Sequence, residues 1–150
     1  MKYSIIIPVY NRLEEIIECL ASLDKIFFSK DMYEVIVIDD GSTDDTDYHL
    51  SNLEFNFDLY FQENKGQGAA RNLGMEKASG DFFIFIDSDV TVPTDWLATI
   101  DRELGDADAF GGLDTCREDD PPLAKAINYS MTSLTGGLRG KAWKNILKQL

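Results

Sequence analysis

Asp87 and Asp89 flank a serine at the end of the apolar run Phe82-Phe83-Ile84-Phe85-Ile86. Such a run reads as a buried strand, and it delivers both carboxylates to the strand tip. Carboxylates two positions apart converge on a hard cation when the backbone turns between them. Mg²⁺ and Mn²⁺ take oxygen ligands of this kind and complete their shells with water and phosphate oxygens. Alone the pattern is unspecific, because Asp is frequent in turns. Two earlier apolar runs also end in polar groups: Ile5-Ile6-Ile7-Pro8-Val9-Tyr10-Asn11 and Val35-Ile36-Val37-Ile38-Asp39-Asp40-Gly41-Ser42. Three polar strand tips make one site rather than three separate motifs.

The elements that must position these tips follow from the pattern between them. Residues 4–9 and 34–38 are β-branched apolar runs and predict central strands. Pro8 is expected to end ladder pairing. Asn11 followed by Glu14 reads as a helix N-cap with its capping partner. Leu13, Ile16, Ile17, Leu20 and Leu23 then recur at helical spacing. Gly41-Ser42-Thr43 predicts a turn and a cap, with a short helix to about Leu53. Leu59-Tyr60-Phe61 predicts a third strand, and residues 66–79 a helix with Gly80 as its C′ glycine. Residues 81–86 form the fourth strand. Pro93-Thr94-Asp95 opens a helix that runs through Leu104 and closes at Gly105, and Ala107 to Gly112 reads as a fifth strand.

Strands alternating with helices define an α/β class with a mostly parallel sheet flanked by helices. Ligands of such sheets bind beyond the carboxyl ends of the strands, which is where all three tips fall.

At these residues the chain resembles the inverting family 2 glycosyltransferases and their GT-A, Rossmann-like nucleotide-diphospho-sugar transferase fold. Four segments in order carry the resemblance: Ile6-Ile7-Pro8-Val9-Tyr10-Asn11; Val37-Ile38-Asp39-Asp40-Gly41-Ser42-Thr43-Asp44; Asn64-Lys65-Gly66-Gln67-Gly68-Ala69-Ala70-Arg71-Asn72-Leu73-Gly74; and Ile86-Asp87-Ser88-Asp89. It implies a nucleotide-sugar donor, expected to carry uridine. Pro8, Val9, Tyr10 and Asn11 would frame the base, with Tyr10 offering an aromatic face. Asp40 would accept a hydrogen bond from the base ring N–H, while Asp39 supports the loop. Gly66 would bring the following helix close to the nucleotide, and Arg71 would face the base or the diphosphate. Asp87 would lie near the ribose and the metal, and Ser88 would belong to the nucleotide-binding set. Asp89, with Asp87, would hold Mg²⁺ or Mn²⁺ against the diphosphate, neutralising charge on the leaving group. The implied acceptor is a saccharide or a lipid-linked sugar.

The resemblance is close over residues 3–112 and loose beyond. Two regions are therefore expected: a nucleotide-sugar-binding core over 1–112, and a partial acceptor-side region with a basic amphipathic tail over 113–150. Inverting transfer needs a general base, and the family's base lies past the donor site. No Asp or Glu follows Asp120, so the base is not assignable. The chain reads as truncated at its C-terminus, or as a non-catalytic module that binds donor without transferring it.

The formal net charge of −13 argues against nucleic-acid binding by phosphate neutralisation. Residues 121–150 depart from this, with five Lys or Arg and no acid. Lys141, Lys144 and Lys148 beside Trp143 suit an amphipathic helix, and segment 139–150 is a candidate for peripheral contact with an anionic membrane face. No signal peptide and no membrane-spanning run are visible, so the expected location is cytoplasmic, at most peripheral at the inner membrane face. Cys19 and Cys116 make no disulfide framework. His49, the sole histidine, carries no role in this reading. An incomplete sheet edge would favour pairing with a second copy. A phosphate-accepting signalling domain fits less well, because its acidic pair ends the first strand. A dinucleotide site lacks its glycine fingerprint after the first strand.

Overall fold

A computed structural model of the chain describes residues 3–105, 109–110 and 142–143. The chain divides into two compact units, Met1–Ala98 and Thr99–Leu150.

The first unit is built on a four-stranded parallel sheet. Its strands are β1 (Tyr3–Val9), β2 (Tyr33–Asp39), β3 (Asp58–Phe61) and β4 (Phe82–Phe85), in the spatial order β3-β2-β1-β4. β1 is central and buried along its whole length, as its unbroken apolar run requires. Its register sets Tyr3 beside both Tyr33 and Phe82, and Ile6 beside Ile36 and Phe85. Pro8 pairs with Ile38 on the β2 side. On the β4 side the ladder has already ended, with the Ile86 N–H donating to the Ile6 carbonyl. Strand residues alternate sides, so Pro8 directs its missing N–H to where no bond is needed. Pairing therefore stops on one side of Pro8 only.

Helices α1 (Leu13–Leu23), α2 (Thr46–Ser51) and α3 (Gln67–Lys77) connect these strands. α1 buries Ile16, Cys19, Leu20 and Leu23, a stripe at helical spacing. Full burial of a Leu or Ile side chain stabilises by roughly 1.5–3 kcal/mol. α3 packs on β1 and β2, with Ala70 against Ile36 and Ile38. Gly74 permits the close approach: a Cβ there would stand 2.3 Å from Ile6 Cγ2.

α2 stops at Ser51, within two residues of the expected end, and closes on local bonds from Asn52 N to His49 O and from Leu53 N to Leu50 O. α3 ends at Lys77, with Ala78 already extended. Gly80 is therefore not the C′ glycine; its N–H donates to Ser4 Oγ, and Ser79 N donates to Glu34 Oε1. A polar clamp from β1 and β2 sets where this helix stops.

The helix opened by Pro93 is α4 (Trp96–Leu104), followed by Gly105 at φ +50. In the second unit, β5 (Ala109–Phe110) pairs antiparallel with β6 (Ala142–Trp143). The expected fifth strand is thus two residues long and belongs to a separate two-stranded sheet. Ala142–Trp143 is strand, not the start of an amphipathic helix. The expected loop over 114–122, helix over 123–134 and flexible segment over 136–140 lie outside the described residues, as does the rest of the basic tail. Among the described residues, no helix is long and apolar enough to cross a membrane.

Candidate functional site

The first loop leaves β1 at Tyr10, which is 44% exposed at the rim. Pro8 and Val9 lie buried within the strand behind it. Asn11 adopts φ +50, a left-handed conformation that Asn tolerates. It does not cap α1. The N-cap is Arg12, and no side chain bonds there. Asn11 instead reaches sideways to the loop after β2. Its Oδ1 accepts from Thr43 N at 2.7 Å and Asp44 N at 3.3 Å, and its own N–H donates to Ser42 Oγ at 3.0 Å.

The second loop leaves β2 at Asp39, which is buried and accepts from Ser42 N at 2.8 Å. Gly41 has φ +76, and a Cβ there would stand 2.8 Å from Asn64 N, so glycine is required twice over. Asp40 is buried, 4% exposed, and tied to the segment before α3. Its Oδ1 accepts from Gln62 Nε2 at 2.6 Å and Lys65 N at 2.9 Å; its Oδ2 accepts from Gly66 N at 2.8 Å. A carboxylate offers about four acceptor positions, so one remains, on Oδ2. Gly66 is the α3 N-cap, held at φ +88 and without a side-chain cap of its own. Asp40 supplies the missing anion at that helix end. Both Asp39, the last residue of β2, and Asp40 after it therefore fix loops, although only Asp39 was expected to.

The third segment is the turn after β4. Asp87 O accepts from Val90 N at 3.1 Å, closing a turn over the intervening residues. Ser88 is buried in it, whereas the Asp87 and Asp89 side chains are 53% and 52% exposed. Asp87 Oδ1 accepts from Arg71 Nη2 at 2.8 Å and Gln67 Nε2 at 2.8 Å. Both donors come from one face of α3, four residues apart. Asp89 Oδ2 lies 3.5 Å from Arg12 Nη1, which is also 3.5 Å from Glu15 Oε1. Behind them, burial pushes the Cys19 thiol up to about 12, and the charge of Asp89 adds to the shift.

These contacts close a ring around the carboxyl edge of the sheet. Asn11 joins the first loop to the second, and Asp40 joins the second to the start of α3. Gln67 and Arg71 join α3 to the turn after β4, and Asp89 returns to Arg12. The ring brings together Asn11, Asp40, Gly66, Arg71, Asp87 and Asp89 from the sequence reading. Gln62, Gln67 and Arg12 were missed. Gln67 carried a readable signal, its spacing from Arg71; Gln62 reaches Asp40 and Arg12 reaches Asp89 across long sequence separations, and those two contacts left none.

Among the described residues, hydrogen bonds fall on Asp87 Oδ1 and leave Oδ2 open, and Asp89 is held only by an exposed ion pair. These are hard oxygen donors and suit Mg²⁺ or Mn²⁺. Among the described residues, no group of three or more His, Cys, Asp or Glu side chains could hold a metal alone. The pair fits a cation that brings phosphate and water as its other ligands.

A parallel sheet ordered β3-β2-β1-β4, with acidic and arginine side chains gathered at its carboxyl edge, places this protein among the GT-A folds. The chain belongs to glycosyl transferase family 2, whose model matches residues 4–148. It is 39% identical over 98 residues to the glycosyltransferase AglE of Haloferax volcanii, covering 63% of this chain and 32% of AglE. Staphylococcus aureus TarS 1-349 in complex with UDP matches with a TM-score of 0.67 and 32% identity, over 81% of this chain and 38% of that one. TarS 1-349 has also been solved with UDP-GlcNAc. The Pyrobaculum calidifontis mannosyltransferase PcManGT in complex with GDP-Man and Mn²⁺ has a TM-score of 0.68 at 23% identity, over 87% of this chain and 39% of that one; it bears on the fold alone. The chain spans less than half the length of each of these relatives.

Proposed function

We propose that this chain binds a nucleotide-diphosphate sugar, with uridine as the base, and forms the donor-binding part of a metal-assisted inverting glycosyltransferase. The carrying observation is the closed ring at the carboxyl edge of the sheet, in a chain that is 32% identical to a UDP-bound relative. In this reading residues 1–112 are the donor-binding core. Tyr10 stacks on the base from the rim. The free position on Asp40 Oδ2 accepts the ring N–H, which favours uracil because cytosine carries no proton there. Arg71, steadied by Asp87, presents its remaining guanidinium N–H groups to nucleotide oxygens. Asp89 and Asp87 Oδ2 would hold Mg²⁺ or Mn²⁺. That cation, when bound, neutralises charge on the departing diphosphate. Ser88 and Gly66 shape the backbone under the nucleotide. The acceptor is a saccharide or lipid-linked sugar, and segment 139–150 meets the membrane face in the lipid-linked case. Self-association through a sheet edge belongs to the same reading.

A second reading is favoured by one observation, that residues 121–150 contain no Asp or Glu to serve as base. The chain then binds donor and transfers nothing by itself.

Calorimetric titration with UDP, with Mn²⁺ and again with EDTA, tests the first reading, with GDP as control. Metal-dependent binding that prefers UDP is expected. Absence of UDP binding, or equal affinity for GDP, overturns it. Turnover of UDP-sugar by the isolated chain would exclude the second reading.

A further inference from the structure

Arg12 supplies the loosest link of the ring. Each other junction contains a hydrogen bond of 2.9 Å or less. The Arg12–Asp89 contact is 3.5 Å, between side chains that are 50% and 52% exposed. It also spans the first loop and the turn after β4, which leave neighbouring strands at the point where the chain crosses from β2 and β3 to the other side of β1. Crevices of α/β sheets open at such reversals of strand order.

Arg12 has a second carboxylate at the same distance. Glu15 Oε1 is 3.5 Å from the same Nη1, one helical turn into α1 and 45% exposed. One guanidinium therefore stands between two acids, and only Asp89 belongs to the pair suited to a cation. Neither contact has the short, forked geometry of a tight Arg–carboxylate pair. Exchanging one partner for the other costs little, because both are solvated.

We propose that Arg12 is the resident counter-ion of Asp89, holding that carboxylate while no divalent cation is bound and passing to Glu15 when one arrives. The proposal rests on the reading of Asp89 as a cation ligand. It adds a role for a residue to which the proposed function gives none. Arg71 neutralises Asp87 and stays in place; Arg12 neutralises Asp89 and gives way. Competition of this kind weakens cation affinity in the donor-free protein by the strength of the ion pair. For an exposed pair that is about 1.4- to fivefold.

The test is Mn²⁺ binding to the full chain without nucleotide, read from the electron paramagnetic resonance signal of the free ion. Four proteins are compared: wild type, Arg12→Gln, Asp89→Asn and the double variant. Arg12→Gln is expected to tighten Mn²⁺ binding about 1.4- to fivefold when Asp89 is present, and to leave affinity unchanged in the Asp89→Asn background. No tightening overturns the proposal. Equal tightening in both backgrounds also overturns it, because Arg12 would then act only as a nearby charge. If Asp89→Asn alone binds Mn²⁺ as well as wild type does, the cation assignment itself falls and this proposal with it. Arg12 is half-exposed, and matched thermal unfolding of the variants establishes that the fold is intact.

Discussion

The Gly66 N–H donates to Asp40 Oδ2 at 2.8 Å, so a carboxylate at the end of β2 completes the N-terminus of α3. This arrangement explains why Asp40 is 4% exposed and still charge-compatible: three protein donors replace its water. Asp40→Asn keeps one acceptor oxygen and sets an NH₂ group against one of those donors. The expected loss of stability is about 1–3 kcal/mol, the cost of buried polar groups left unpaired. Urea unfolding measures it, and an unchanged midpoint would remove Asp40 from this capping role.

Asn11 combines a backbone requirement with a side-chain one, and two substitutions separate them. Asn11→Gly tolerates φ +50 but loses the bonds to Thr43 and Asp44. Asn11→Ala loses the bonds and adds left-handed strain of about 1–2 kcal/mol. The alanine variant is expected to be the less stable by about that difference. In both, hydrogen exchange at the Thr43 and Asp44 amides should quicken while amides of β1 stay protected.

Cys19 gives a pH dependence with a defined sign. Its folded-state value of about 12 lies above the ordinary 9.0. Below about pH 9 both folded and unfolded thiols keep the proton, and the folded state has its full stability. Between about pH 9 and 12 the unfolded chain loses the proton first, so stability falls as pH rises. The expected contribution approaches about 1.4 kcal/mol per pH unit in that window. It is read as the difference between wild type and Cys19→Ala in unfolding experiments from pH 8 upward, and parallel curves would refute it. Thiol labelling located by mass spectrometry should leave Cys19 unmodified in the native protein at neutral pH.

The frame of this protein was readable because its signals are local and redundant. The β-branched runs gave β1 and β2, helical spacing from Ile16 to Leu23 gave α1, and polar residues after apolar runs gave the edge on which the site lies. What escaped was decided by partners far along the chain. Asn11 looks like a helix cap until the loop after β2 is folded beside it. Gly80 looks like a helix terminator until Glu34 and Ser4 claim the amides of Ser79 and Gly80. Ala109–Phe110 looks like another parallel strand until Ala142–Trp143 pairs with it in the opposite sense. Pairing partners and side-chain clamps over such separations leave no periodicity for a sequence reading to detect.

A closed circuit of loops is inherited and engineered differently from a set of independent ones. Exchanging residues 41–45 alone for a loop of different backbone course would strand Asn11 Oδ1, which accepts from the Thr43 and Asp44 N–H groups. Exchanging the turn after β4 alone would strand Arg71 and Gln67. Loop grafting therefore preserves the carboxyl edge only when the four segments travel together, as one cassette on an unchanged sheet.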